Sequence, residues 1–400
     1  MSASTASTVH PWRGVFSALC AVLVGIGLAR FSYTPLIPAL ISAGWFDPGA
    51  AAYLGAANLA GYLAGALAGR WLAPRVSPSL VLPGMMALAG ASFAACAAPW
   101  PFAWFFPWRF AAGLAGGVLM TLAAPAVLPL VPANRRGLAG GLIFTGVGLG
   151  IAASGTLVPL LLRGGLAVAW LGLGALCLLL TIAAWGGWPS APLPPRPVGA
   201  PPASAATAFT LKALYFEYGL NAVGLVPHMV FLVDYIARGL ERGLDVGAGY
   251  WVLFGLGALG GPVGAGIASD RIGVARTLRL SYAIQIPAVA LPAFFTSPVA
   301  LGISSLAMGA AIPGVVSLVM GRVQDIVTND PAGAQRAWSI ATVAFAVGQA
   351  VAAYGLSYIF DRTGDYALLF LLGAGAVTLA LVLDLAAGWV AATRLRNAAG

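Results

Sequence analysis

The chain has 400 residues, of which 60% are hydrophobic and only 8% charged, with a mean hydropathy of +0.93. A soluble domain carries about 25% charge, so a soluble protein with a large core is excluded. The net charge of +9 does not point to nucleic acid, because acids are scarce and the basic residues cluster in short segments between apolar runs.

Runs of about 20 to 30 apolar residues recur along the chain, each long enough to cross a bilayer core of about 30 Å. In chain order they predict helices over 14–41, 49–73, 77–98, 102–131, 137–162, 166–188, 209–236, 247–269, 277–296, 298–324, 337–360 and 366–392. The first follows Arg13 and looks like a signal peptide, but it is too long and eleven more come after it. It is read as a retained span. Between spans 6 and 7 lies "WPSAPLPPRPVGAPPASAAT", with seven prolines from Pro189 to Pro202. These forbid a helix and favour an extended strap. The expected organisation is therefore all-α: an N-terminal six-helix bundle over 1–188, a Pro-rich cytoplasmic linker over 189–208 and a C-terminal six-helix bundle over 209–400. Many of the 53 glycines are expected where helices approach closely in lipid.

An even number of spans puts both termini on one side. With that side in the cytoplasm, fourteen basic residues fall inside, and only Arg163, Arg238, Arg242 and Arg362 fall outside. The positive-inside rule then sets the orientation, in what is read as a bacterial inner membrane. Two arginines, Arg30 and Arg109, lie within spans. Cys20, Cys96 and Cys177 also fall in spans, with no metal spacing, and are expected as free buried thiols.

The halves look duplicated. "GALAGRWLAPR" (65–75) joins spans 2 and 3, and "GIASDRIGVAR" (266–276) joins spans 8 and 9, 201 positions later. At an offset of 200, "RGLAGGLIFTGVG" (136–148) matches "RAWSIATVAFAVG" (336–348). Parallel repeats of this kind place a binding site near the midplane, between the halves. "GIASDRIGVAR" resembles the loop signature G-x3-D-R-x-G-x2-R of the major facilitator superfamily, through Gly266, Asp270, Arg271, Gly273 and Arg276. "RFAAGLAGG" (109–117) resembles its fourth-helix pattern. "GLARFSYTPLIPAL", "YLGAANLAGYLAGAL" and "FAVGQAVAAYGLSYIFDRTGDY" look like its poorly characterised YbfB-like branch. The resemblance covers nearly the whole chain. It implies a twelve-helix transporter fold of two pseudo-symmetric bundles, with Asp270, Arg271 and Arg70 as a gating latch. The first-half copy departs from the signature, with Gly69 where the Asp belongs, and span 5 has Ser154-Gly155 in place of the family antiporters' Gly-Pro pair. The resemblance names no substrate.

Polar groups inside spans are expensive and mark function by default. Arg30 has Tyr33 and Thr34 at i+3 and i+4, with Pro35 and Pro38 loosening the helix beyond. Its planar fork suits a carboxylate or phosphate; the bland reading is an arginine that caps helix carbonyls or pairs with an acid. Arg109 is either a substrate contact or, as the resemblance implies, a helix-packing and proton-coupling arginine. In span 7, Glu217, Asn221, Gly224 and His228 stand at i, i+4, i+7 and i+11, on one helical face. Glu217 and His228 are the candidate proton carriers, against a Glu that reaches the headgroups and a His that only packs. Trp338, Thr342, Phe345 and Gln349 repeat the spacing in span 11, and Gly55, Asn58 and Tyr62 stripe span 2. These stripes suit either an amphipathic pocket or interhelical glue. Asp234 and Arg238 form the expected i,i+4 pair, and Asp384 is a lone acid in span 12 with no visible partner.

No P-loop and no G-x-S-x-G appear, and two histidines cannot build a metal or triad centre, so neither an enzyme, a cofactor nor a metal site is expected. The sequence reads as a proton-coupled secondary transporter for a small organic anion, monomeric in the lipid bilayer. The substrate-binding set is Arg30, Tyr33, Thr34, Asn58, Tyr62, Arg109, Asn221, His228, Trp338, Thr342 and Gln349. The rivals are a proton-coupled exporter of amphipathic or cationic compounds, with Glu217 as counter-charge, and a non-transporting membrane sensor. A channel would need a ring of repeated filter residues.

Overall fold

A computed structural model describes residues 10–191, 205–328 and 330–399. Most of the Pro-rich linker, 192–204, lies outside the described residues. Among them the chain is helical, with no strand. It divides into two compact units, Met1–Pro195 and Arg196–Gly400.

The first unit holds six helical rods. The first is α1 (Pro11–Val22), a π-helical segment Leu23–Leu28, α2 (Ala29–Phe31) and α3 (Tyr33–Ser42) in succession. It is followed by α4 (Pro48–Leu72), α5 (Pro78–Ala95), α6 (Phe102–Val127), α7 (Arg136–Leu162) and α8 (Leu166–Ala184). The second unit repeats the plan. Its first rod is α9 (Ala205–Val226), a π segment Pro227–Phe231, α10 (Leu232–Asp234) and a π segment Tyr235–Gly239. Then come α11 (Leu244–Ile272), α12 (Val274–Phe294), α13 (Pro298–Ile326), α14 (Pro331–Thr363) and α15 (Tyr366–Ala399). Ten of these rods are long and apolar enough to cross a membrane among the described residues. With α4 and α12, of 25 and 21 residues, they make twelve.

Local chemistry sets the ends. Pro opens α1, α4, α5, α13 and α14, where its missing N–H costs nothing and its fixed φ fits the helix. The Asp47 carboxylate accepts from Ala50 N at 2.8 Å and caps α4. Gly273, at φ +88°, makes the sharp turn from α11 to α12; a side chain there would be strained.

The packing is duplicated with more regularity than the sequence matches implied. In the first unit α4 lies on α6, and in the second α11 lies on α13. A Cβ at Gly61 would fall 2.0 Å from Phe110 O, and one at Gly257 would fall 2.1 Å from Leu306 O. Gly65 and Gly261 meet Leu114 O and Ala310 O at 2.1 and 2.2 Å, and Gly113 and Gly309 meet Asn58 O and Phe254 O at 1.9 Å each. Every pair is separated by 196 positions (257 − 61, 261 − 65, 309 − 113), not the 200 or 201 read from the loops. Toward the Asp270 end α11 runs longer, with 29 residues against 25 in α4, and the offset is 196 again where α5 and α12 begin, at Pro78 and Val274.

That close approach also explains the departure at Gly69. A Cβ there would lie 2.1 Å from Thr121 Oγ1 on α6, so the first half has no room for the signature's Asp. Asp270 in the second half is exposed.

Candidate functional site

The first unit builds a polar site at the break in its first rod. The π segment Leu23–Leu28 and the turn at Ser32 free helix carbonyls of the kind that π insertions expose at functional positions. The Ala29 carbonyl accepts from Arg109 NH1 at 3.4 Å and from Asn58 Nδ2 at 3.5 Å. Asn58 Nδ2 also donates to Arg109 O at 3.2 Å. Three rods are tied at one point. Arg109 is sealed, 2% exposed, with its guanidinium 4.0 Å from the Tyr33 ring centroid. Tyr33 is fixed in turn: its hydroxyl donates to Ala51 O at 2.8 Å, and its ring packs on Trp170. Arg109 is thus held behind the break by the Ala29 carbonyl and the Tyr33 ring.

Arg30 sits differently. It is half-buried, and its guanidinium lies 5.7 Å from the Phe31 ring and 5.9 Å from the Tyr62 ring, within cation–π range. Tyr62 is buried. Thr34, expected on the same face as Arg30, is exposed, while Tyr33 has joined Arg109. The break explains the split, because the turn at Ser32 interrupts the regular rise on which the i+3 and i+4 spacing rests. The sequence of the first unit holds a single acid, Asp47, which caps α4.

In the second unit, the single face expected for span 7 does not persist to its end, because the helix passes into π geometry at Pro227. Glu217, Asn221 and His228 are nevertheless all buried, at 1%, 0% and 0% exposure, and Asn221 and His228 each meet a partner from the same unit. Asn221 Nδ2 donates to Gln285 Oε1 on α12 at 2.7 Å. His228 Nε2 lies 2.7 Å from Ser304 Oγ on α13, with Phe370 of α15 edge-on to its ring. Gly224 faces α15, where a Cβ would meet Val377 at 2.3 Å. Glu217 lines a small cavity with Thr210, Leu214, Arg322 and Asp384.

Asp384 is not a lone acid. It forms an ion pair with Arg279 Nε of α12, across 105 residues of sequence, which is why spacing could not show it. Gly388, one turn on, leaves room for that guanidinium: a Cβ would lie 2.5 Å from Arg279 NH2. Asp234 pairs with Arg238 as expected and also accepts from Tyr366 Oη at 2.5 Å.

In span 11, Trp338 is buried and stacked on Tyr218 at 6.4 Å. Thr342 Oγ1 donates to Trp338 O within the helix, and Gln349 Nε2 contacts Met229 Sδ at 3.2 Å. Of the latch residues, Arg70, Asp270 and Arg271 are all exposed at helix ends. The three cysteines are free and buried, and the described residues contain no cluster able to hold a metal ion. The sequence reading missed Arg279, Tyr282, Gln285, Ser304 and Arg322. Tyr282 and Gln285, one turn apart in an apolar run, were the available signal.

Twelve helical rods among the described residues, in two duplicated units with guanidinium and carboxylate groups held inside them, are the frame of a polytopic membrane protein. The family model described as "Uncharacterised MFS-type transporter YbfB" matches residues 22–385, and the chain belongs to this family of the major facilitator superfamily. No curated protein sequence matches it. Its fold is similar to that of the human organic anion transporter TETRAN, with a TM-score of 0.74 at 17% identity, covering 94% of this chain and 99% of that one. It is similar to the E. coli fucose:proton symporter FucP at 0.69 and 15%, covering 93% and 98%. It is also similar to the proton:xylose symporter XylE at 0.72 and 13%, covering 93% and 94%. The protein is a multi-pass membrane transporter of a superfamily whose members bind small-molecule substrates within the membrane.

Proposed function

We propose that the chain is a secondary active transporter that works by alternating access, is coupled to protons and carries a small organic anion of the carboxylate type. It resides in a bacterial inner membrane with both termini in the cytoplasm, as a monomer. The observation that carries this reading is the seating of Arg30. Its guanidinium is half-buried beside a helix break, 5.7 Å from the Phe31 ring centroid and 5.9 Å from that of Tyr62. An intramembrane guanidinium so placed presents a rigid fork that matches two carboxylate oxygens. Tyr62 supplies the apolar wall and a hydroxyl; Asn58 and Tyr33 hold the break in shape. Glu217 is the proton site, and TETRAN, FucP and XylE lend the reading the likeness of a shared fold.

Glu217 as counter-charge for a cationic substrate is disfavoured by its surroundings. Arg279 and Arg322 act on it electrostatically together with Asp384, and such a site already holds its cations.

The test begins with a thermal-shift screen of organic acids and amines, since a ligand that binds the folded form raises apparent stability. Counterflow in proteoliposomes with the hits then compares wild type, Arg30→Ala and Arg30→Lys. Loss in Ala and a strong deficit in Lys are expected. Wild-type flux in both removes Arg30 from the site, and amine hits without acid hits overturn the anion assignment.

A further inference from the structure

A line of sealed polar atoms runs through the second unit. Glu217 Oε1, Tyr282 Oη, Gln285 Nε2, Asn221 Oδ1 and His228 Nδ1 have no hydrogen-bond partner among the described residues. All five residues are 1% exposed or less. Glu217, Asn221 and His228 ascend one rod, and Tyr282 and Gln285 stand one turn apart on α12, joined to it by the Asn221–Gln285 bond. From Glu217 to His228 the rise is about 16 Å, at about 1.5 Å per residue.

The chemistry of the set is mixed. Gln285 Nε2 can only donate. Glu217 Oε1, when ionised, and Asn221 Oδ1 accept. The His228 state follows from its neighbour: Ser304 Oγ gives its proton to Ala288 O at 2.6 Å, so His228 Nε2 must donate to Ser304 Oγ, which leaves Nδ1 as an acceptor. Tyr282 Oη can do both. An ion of either sign would match only half of these groups. Water donates and accepts, and buried water typically joins about three such groups.

At the inner end the line meets charge. Arg279 and Tyr282 come from α12, Arg322 from α13 and Asp384 from α15, all within electrostatic range of Glu217. From α14 comes the face of Trp338, stacked on Tyr218. The cavity lined by Thr210, Glu217, Arg322 and Asp384 opens beside the carboxyl.

We propose that these groups hold a file of ordered water inside the second unit, from Glu217 to His228, through which Glu217 exchanges its proton. In each hop one O–H bond breaks as the next forms, so the file conducts a proton without itself being consumed. The use of the file rests on the proton-coupled reading above; its hydration does not.

X-ray radiolytic footprinting of the purified full-length protein, read by mass spectrometry, tests it without a substrate. Rates are normalised for intrinsic reactivity. Tyr282 and His228 are expected to oxidise about tenfold faster than Phe93 and Phe254, which are equally sealed but apolar, because radicals form from bound water. Rates equal to those two phenylalanines overturn the proposal. Asn221→Leu combined with Gln285→Leu removes the middle of the file and should cut labelling at His228 several-fold while Tyr282 keeps its rate; an unchanged His228 rate overturns the continuous file. A labelled file together with wild-type pH dependence of counterflow in Glu217→Gln would overturn the proton role, and the coupled reading with it. An unlabelled file overturns this proposal alone.

Discussion

The Asp384–Arg279 pair offers a direct measure of what buried charge does in the second unit. The Asp384 side chain is 7% exposed and that of Arg279 32%, so the pair is sealed on one side only. Removing one partner from a fully buried pair costs about 3–5 kcal/mol, whereas an exposed pair contributes about 0–1 kcal/mol. With a third of the arginine in solvent, Asp384→Asn should cost about 2–3 kcal/mol, between those limits. For a unit of this size, that lowers the melting temperature by roughly 4–12 °C, at about 2–4 °C per kcal/mol. The assay is thermal unfolding of the purified protein, followed by a double-mutant cycle with Arg279→Met. Asp384→Leu with Arg279→Met should recover most of the loss, since a buried pair replaced by apolar groups of like volume is close to neutral. An unchanged melting temperature in Asp384→Asn, or a double variant no better than the single, would refute the argument.

Other outcomes follow from the helix contacts. Gly113→Ala and Gly309→Ala each drive a Cβ to 1.9 Å from a carbonyl oxygen and should each destabilise by about 1–3 kcal/mol. Gly264→Ala, with nothing within 4 Å, should be neutral or stabilise by up to about 1 kcal/mol; equal melting temperatures for all three would contradict the duplicated packing. Gly69→Asp, which restores the signature acid, should reduce the melting temperature because of Thr121, and Thr121→Gly in the same chain should relieve it. Cys20, Cys96 and Cys177 are sealed, so a water-soluble maleimide should react only as the protein unfolds, and rapid labelling of the native protein would show the packing to be wrong.

The sequence alone determined the class of this protein. Charge is so scarce and apolar runs so long that only a bilayer can solvate the chain, and the loop around Asp270 and Arg271 carried the resemblance to the superfamily. Arg30, Arg109 and Glu217 were visible because a charge stands out in an apolar run. Tertiary structure decided what each of them touches. Arg30 and Arg109 look alike as letters, yet the break at Leu23–Phe31 seats one half-buried near the Phe31 and Tyr62 rings and brings the other onto Ala29 and Tyr33. Helical periodicity carried span 7 only to Pro227, where π geometry changes the angle per residue. Asp384 stands alone in its own span because its arginine is 105 residues away, and the repeat of 196 shows only in the glycine contacts between helices. Local patterns report spacing along one helix; partners across helices are fixed by packing, which brings together residues that spacing along the chain does not relate.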